Sequence, residues 1–136
     1  MPAADPERDR AAVLAAADAC TAAFGRHDRE GYFANFTPEA TFIFHTTPVV
    51  LASRAAWEAE WDRLVAEEGF RVLGCTPRDQ LVQLHGDVAL FSHRILTRIS
   101  SHEGEVETDE RETIVFRRQP DGTWLAVHEH LSPTPA

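Results

Sequence analysis

Two glutamates stand among apolar residues near the carboxyl end of the sequence, in a setting that could support proton transfer. Glu112 and Glu129 fall in two alternating runs, 111–118 and 124–132, on either side of a Pro-Asp-Gly sequence at 120–122. This pattern predicts a β-hairpin whose side chains sort onto two faces. Two carboxyl groups that share an apolar setting have pKa values that split apart, so that one can hold a proton near neutral pH. The pair is therefore a candidate general acid and base.

The alternation gives the predicted hairpin one apolar face and one semi-polar face. The apolar face carries both glutamates, and we expect it to line a core or a pocket. Its other members are Ile114, Phe116, Leu125, Val127 and Leu131. The opposite face carries Thr113, Val115, Arg117, Trp124, Ala126, His128 and His130. This second face is too apolar to be left to solvent. We therefore predict a homodimer that forms through Trp124, Ala126, His128 and His130.

The composition narrows the class of protein. A chain of 136 residues suggests one domain with a real core. A formal net charge of −9 argues against nucleic acid or an anionic membrane as a partner, because both need a basic face. The amino-terminal residues show no apolar signal segment, so we expect a cytoplasmic protein. The sequence has no glycine-rich phosphate loop, no nucleophile elbow and no cluster at metal spacing, so we expect no cofactor and no metal. The i, i+2 pair His128 and His130 has no third ligand in register.

The elements that must position the glutamates follow from periodicity and from capping and turn residues. We expect a disordered leader at 1–6 and a tail at 133–136. Helices are predicted at about 7–25, 28–36 and 54–68. Strands are predicted at about 40–45, 48–51, 70–84, 87–100, 106–118 and 124–132. The last four strands have short turns between them, which predicts an antiparallel meander with helices covering one face of a curved sheet, an α+β domain.

Several segments carry a resemblance to a known family. They are residues 22–28 running into 36–42, His85-Gly86-Asp87, Arg111-Glu112-Thr113 and, above all, 121–132. Over about residues 7–133 the chain resembles the nuclear transport factor 2, ketosteroid isomerase and SnoaL-like polyketide cyclase superfamily. Its ending is most similar to the association domain of calcium/calmodulin-dependent protein kinase and its bacterial stand-alone relatives. The resemblance implies a single cone-shaped α+β domain at 7–132. In it, a curved antiparallel sheet has three helices over its concave face and encloses a cavity.

The resemblance also implies which residues face that cavity. The positions of the ketosteroid isomerase active site fall on Cys20, Phe44 and Ile114, which cannot carry out that chemistry, so the chain is not a ketosteroid isomerase. The same alignment points Ser92 and Arg94 into the cavity. Arginines that line the kinase-type cavity are replaced at Ile114 and Leu131, so the anion site of that domain is incomplete here.

A tight hairpin at 102–104 would place Arg94 beside Glu112, and the next hairpin would bring Glu129 close. We predict that Glu129, Glu112, Arg94 and His45, the last at the cavity mouth, form the catalytic group. A buried structural ion pair is the alternative interpretation of the same charges. The residues predicted to contact a substrate are Tyr32, Phe44, Trp57, Trp61, Ser92, Ile114, Phe116, Val127, Leu131 and Cys20.

Two functions remain open from the sequence. One is a cofactor-independent isomerase, cyclase, dehydratase or hydrolase that acts on a small molecule in the cavity. The other is a non-catalytic ligand-binding or oligomerisation module that resembles the kinase association domain. The fold alone does not choose between them, since it hosts both kinds of protein.

Overall fold

The computed structural model describes residues 5–136. In chain order the elements are α1 (Pro6–Gly25), α2 (Arg29–Phe33), β1 (Phe36–Phe44), α3 (Arg54–Arg63), β2 (Arg71–His85), β3 (Val88–Ser101), β4 (Gly104–Arg118) and β5 (Trp124–Pro133). One π-helical turn, Leu64–Glu68, extends α3. The three predicted helices and the four predicted long strands are all present. The predicted strand at 48–51 is reduced to a single bridge between Phe42 and Leu51.

Each helix begins at a side-chain cap. The Asp5 carboxylate accepts a hydrogen bond from the Arg8 backbone N–H at 3.1 Å, and Pro6 occupies the first turn, where its missing N–H costs nothing. The predicted leader therefore overlaps the capped start of α1 by two residues, and the rest of it, residues 1–4, lies outside the described residues. Asp28 and Ser53 cap α2 and α3 in the same way. Glycine at position 69, with φ +68°, ends the π-helical turn in the left-handed region that favours it.

The five strands form one curved, open sheet in the order β1-β5-β4-β3-β2. Strands β2 to β5 are antiparallel neighbours, as predicted, and β1 adds to the edge of β5 in parallel. The helices cover one face of this sheet, which we call the inner face; the other is the outer face. The largest fully buried side chains pack between helices and inner face, and they are Val13, Phe36, Phe42, Trp61, Phe91, Ile114 and Phe116. Within residues 5–136 no helix is both long and apolar enough to cross a membrane.

A β-bulge in β5 changes which residues face the helices. Val115 pairs with His128, but Phe116 pairs with Ala126, so Val127 is an extra residue in β5. Because alternation restarts after the extra residue, Trp124 and Ala126 turn to the inner face, where they are 6% and 0% exposed. The predicted dimer contact through these two residues is therefore wrong. His128 and His130 do lie on the outer face.

The same bulge reverses the other half of the predicted pattern. Leu125 and Val127, expected on the apolar cavity face, lie half-buried on the outer face. Val127 is consequently not a cavity residue, which corrects its assignment to the substrate-binding group. Beyond the bulge, towards the end of β5, the predicted alternation holds, and Glu129 and Leu131 face inwards.

Candidate active site

A cavity of about 150 Å³ lies between the helices and the inner face. An engineered apolar cavity of about this volume binds benzene, so this cavity can hold a ligand with at least one small ring. Its wall is mainly apolar and aromatic, with three carboxyl groups, from Glu110, Glu112 and Glu129. The exposed Thr46 and the half-buried Thr47 lie at its edge and mark the side that opens to solvent. Few polar groups in a largely apolar concavity is the usual make-up of a small-molecule site.

Glu129 is the most deeply buried carboxyl group of the cavity. Its side chain comes from β5 and is 4% exposed. The hydroxyl oxygen of Tyr32, on α2, lies 3.0 Å from Oε1 and 3.2 Å from Oε2 of Glu129. The indole N–H of Trp57, on α3, donates to the same hydroxyl oxygen at 3.0 Å. Burial, together with the negative charge of the neighbouring Glu112, raises the pKa of Glu129 well above its usual range.

Glu112, on β4, is held by a histidine from the neighbouring strand β3. Nε2 of His93 lies 2.7 Å from Oε1 of Glu112. Burial lowers the pKa of His93 to about 4, so the ring is neutral at pH 7. Nδ1 of this ring is buried without a partner. We assign the ring proton to Nε2, where it is donated to Glu112, because the other tautomer would bury an unpaired N–H. Burial, and the negative charge of Glu110, raise the pKa of Glu112 to about 8.

Glu110 forms the third pair, with a histidine from the loop after β1. Nε2 of His45 lies 2.5 Å from Oε2 of Glu110, and the Thr108 hydroxyl donates to Oε1 at 3.1 Å. The His45 side chain is 31% exposed, whereas that of Glu110 is 12% exposed. His45 thus stands at the solvent side of the Glu110 carboxyl group and is not itself among the residues that line the cavity.

Arg94 does not belong to this site. A two-residue turn, His102-Glu103, joins β3 to β4, and the resulting register sets His93 opposite Glu112 and Arg94 opposite Arg111. Directly opposed residues share a face, so Arg94 is on the outer face, where its guanidinium binds the Asp109 carboxylate. The predicted Arg94–Glu112–Glu129 cluster is therefore wrong by one residue of register. Ser92 lies on the outer face for the same reason.

The other predicted contact residues divide into two groups. Those that line the cavity are Cys20, Tyr32, Phe44, Trp57 and Leu131. Trp61, Ile114 and Phe116 are also buried on the inner side but belong to the packed core behind the cavity wall. The sequence reasoning missed His93 and Glu110. Strand alternation alone places Glu110 beside Glu112, two residues away, and the parity of a two-residue turn would have found His93.

The cavity holds two carboxyl groups that could transfer protons, and no cationic side chain of residues 5–136 pairs with either of them. In the described residues, no arginine lines the cavity, and the chain contains no lysine. The two carboxyl groups with raised pKa values, Glu112 and Glu129, therefore have no positive side chain beside them that would keep both ionised. Between positions 5 and 136, no cluster of three histidine, cysteine, aspartate or glutamate side chains could hold a metal ion.

A cone of curved sheet and helices around a cavity with buried acids defines the class of this protein. The chain belongs to the SnoaL-like domain family, whose sequence model matches residues 13–136. The match confirms the family predicted from the sequence, and the fold is one that binds small molecules. A comparison with curated proteins gave no match.

Solved structures show the same fold. A provisionally named dehydratase of the nuclear transport factor 2-like family from Streptomyces avermitilis is 27% identical, with a TM-score of 0.75 over 97% of this chain and 100% of that chain. A provisionally named calcium/calmodulin-dependent protein kinase II association domain from Xanthomonas campestris is 21% identical, with a TM-score of 0.73 over 99% and 92%. A protein from Catenulispora acidiphila, solved in complex with S-DNPA, is 15% identical, with a TM-score of 0.75 over 92% of each chain.

Proposed function

We propose that this protein is a cofactor-independent enzyme that transfers protons to and from a small, largely apolar molecule in the cavity. The observation that carries the proposal is the pair Glu112 and Glu129, buried in one apolar cavity without a neighbouring cation. At neutral pH both carboxyl groups are mainly protonated, and Glu112, with a pKa of about 8, is the group that can donate its proton or, in its ionised fraction, accept one. Isomerisation, elimination of water and hydrolysis all use these two steps.

The hydrogen bonds support different roles for the two acids. Glu129 is held by Tyr32 through both of its oxygens, within a buried chain that continues to Trp57. Glu112 binds His93 through Oε1 only. Its Oε2 is thus the oxygen available to a ligand, and we assign Glu112 as the group that exchanges the proton with the substrate. Glu129 is the more deeply buried of the two, and its own pKa is raised by burial and by the negative charge of Glu112.

The experiment that tests the proposal starts from ligands and then measures conversion. A thermal-shift screen of one-ring and two-ring ketones, alcohols, epoxides and amines identifies molecules that stabilise the fold. Each stabilising molecule is incubated with the enzyme in deuterated water, and mass spectrometry records deuterium uptake, loss of water or ring opening.

The matched variants are Glu112→Gln, which keeps the shape of the side chain, and Arg94→Ala on the outer face. We expect Glu112→Gln to lower conversion by roughly 10²–10⁴-fold, as is typical for loss of a general acid or base, and Arg94→Ala to leave it unchanged. Recovery of every stabilising ligand unchanged from the unsubstituted protein would contradict the proposal and favour the binding-only function.

We also propose a homodimer, now through a smaller outer-face surface than the sequence predicted. His128 and His130 lie there, beside the half-buried Ile43, Val115 and Val127, which add an apolar component. Size-exclusion chromatography with light scattering tests this assembly. A monomer at micromolar concentration would contradict it.

A further inference from the structure

The cavity places carboxyl groups together with aromatic rings. The three carboxyl groups stand on neighbouring strands, Glu110 and Glu112 on β4 and Glu129 on β5. The rings come from α1, α2, β1, α3 and the segment before β2. They are Phe24, Tyr32, Phe44, Trp57 and Phe70. A ligand in the cavity thus meets both carboxyl groups and π-systems.

The rings form a rigid wall rather than separate contacts. The ring centroids of Phe24 and Tyr32 are 5.0 Å apart, and those of Phe44 and Trp57 are also 5.0 Å apart. The hydroxyl group of Tyr32 is fixed by Glu129 and Trp57, so its ring cannot turn away. The faces of aromatic rings carry negative electrostatic potential, and they attract a cation held close to them.

Among the described residues, no arginine lines the cavity to offset the charge of ionised Glu112 and Glu129, and His45 is paired with Glu110 rather than with either of these two groups. The charged neighbours that act on Glu112 and Glu129 are other carboxyl groups, not arginines. The arginine expected here, Arg94, lies on the outer face with Asp109 as its partner. An anionic ligand would add to the repulsion, whereas a cation would remove it.

We infer that the ligand of this cavity is an organic cation: an apolar molecule with roughly one ring and an amine or ammonium group. The inference rests on the proposed function and deepens it by naming the chemical class of the ligand. The ammonium group lies towards Glu112 and Glu129, and the apolar body packs against the rings. The net charge of −9 favours the approach of such a ligand from solution.

Cation binding must be coupled to the loss of a proton. The titratable groups around Glu112 are Glu110, Glu129, His93, Tyr32, Cys20 and Cys75. None of these groups carries a positive charge at pH 7, since burial keeps His93 neutral. A permanent cation that binds beside protonated Glu112 favours the ionised carboxylate, so the Glu112 proton leaves to solvent. The total charge of the cavity then stays constant, and binding tightens as the pH rises towards the pKa of Glu112.

The test is a charge series with one shape. Phenyltrimethylammonium, its neutral isostere tert-butylbenzene and the anion benzenesulfonate are titrated into the full chain by calorimetry. Measurements in two buffers of different ionisation enthalpy count the protons released. We expect the cation to bind about tenfold more tightly than the neutral isostere, the anion not to bind, and about one proton to leave per cation near pH 7. We expect the affinity for the cation to rise between about pH 6 and about pH 9.

Two variants locate the effect. Glu112→Gln should remove the proton release and most of the preference for the cation, while Asp109→Asn, which removes a carboxylate from the outer face, should change neither. The unsubstituted protein gives the charge preference by itself, so a variant that fails to fold does not weaken the test. Equal binding of the cation and the neutral isostere, binding of the anion, or no binding of the cation would overturn the inference.

The two proposals fail in different ways. If Glu112 is ionised throughout, the proton-transfer function fails, but the cation still binds best, with an affinity that does not vary with pH and without proton release. If the ligand is neutral, the charge preference disappears although Glu112 still titrates near pH 8.

Discussion

The two faces of the sheet differ in the exposure and pairing of their charged side chains. On the outer face, Arg94 and Asp109 form an ion pair in which each side chain is 39% exposed. On the inner face, Glu112 and Glu129 line one cavity, where the described part of the chain places no arginine beside them; Glu129 is 4% exposed and the side chain of Glu112 is 12% exposed. The same strands thus carry solvated, paired charges on one side and desolvated, unpaired carboxyl groups on the other.

This contrast bears on function. An exposed ion pair contributes little to folding and places few demands on the structure. A buried carboxyl group without a counter-ion has a cost, which the protein reduces by keeping a proton on it. Apolar residues of similar size would fill the inner face at lower cost. The retention of three glutamates there fits a site that exchanges protons, and the charges of the outer face fit a solvated surface.

The largest expected effect tests the assignment of residues to the two faces. We expect Trp124→Ala to lower the free energy of unfolding by about 3–5 kcal/mol, because it empties a buried site and removes the ring under the Arg118 guanidinium. His130→Ala, six residues further along β5, should change it by less than about 0.5 kcal/mol, because the imidazole is exposed. Urea unfolding of both variants measures the difference. A small effect of both substitutions would mean that the bulge at Val127 is absent and that the alternation predicted from the sequence is correct.

The sequence predicted the elements well because their signals are local. The Pro-Asp-Gly turn, the caps Asp28 and Ser53 and the alternating runs each act within a few residues. The bulge at Val127 depends on distant partners: β1 is irregular at the same level, between Phe36 and Thr41, where Pro38 cannot donate a ladder hydrogen bond. No residue pattern within the run 124–132 predicts the bulge.

The candidate site was half predicted for a related reason. Glu112, Glu129, Tyr32, Phe44, Trp57, Leu131 and Cys20 were correctly expected at the cavity. Arg94 was wrong because one residue of register moves a side chain to the other face of a sheet. The resemblance to the kinase association domain reinforced the error, since it suggested an arginine in the cavity where this chain places the neighbouring His93.

The second expected effect concerns pH. Above its ordinary pKa of 4.5, Glu112 ionises in the unfolded chain but keeps its proton in the folded protein up to about pH 8, so the unfolded state binds fewer protons and stability falls as the pH rises. His93, with a folded pKa of about 4 against 6.5, contributes the opposite slope, which ends near pH 6.5. From about pH 6.5 to 8 the opposing effect of His93 is absent, and the Glu112 effect, at about 1.4 kcal/mol per pH unit, amounts to roughly 2 kcal/mol.

Unfolding free energies at several pH values check this slope. Glu129 adds to it with the same sign, since its pKa is raised as well. We expect Glu112→Gln to have a flatter profile and to be more stable than the unsubstituted protein at pH 8, because it has no carboxyl group to ionise. A profile that rises from pH 6.5 to pH 8, or one that the substitution leaves unchanged, would contradict the raised pKa.

The smallest expected effect comes from the outer face. We expect Arg94→Ala and Asp109→Ala to leave the thermal midpoint nearly unchanged, because water solvates each partner when the other is removed. Neither substitution should change ligand binding in the cavity. Thermal unfolding at low and high salt, combined with the calorimetric titration, checks both statements. Loss of ligand binding in Arg94→Ala would mean that Arg94 contacts the ligand in the cavity. That result would contradict the difference between the two faces.

The most direct test of the central claim is a titration of the glutamate side chains by carbon-13 NMR, with Glu112→Gln and Glu129→Gln used to assign the two resonances. The account predicts that the pair titrates far above the usual range, with an apparent pKa near 8 for Glu112 and a raised value for Glu129. Exposed glutamates in the same spectrum serve as the internal control. If Glu112 and Glu129 titrate together with these exposed groups, the inner face holds no proton at neutral pH and the proposed proton transfer is wrong.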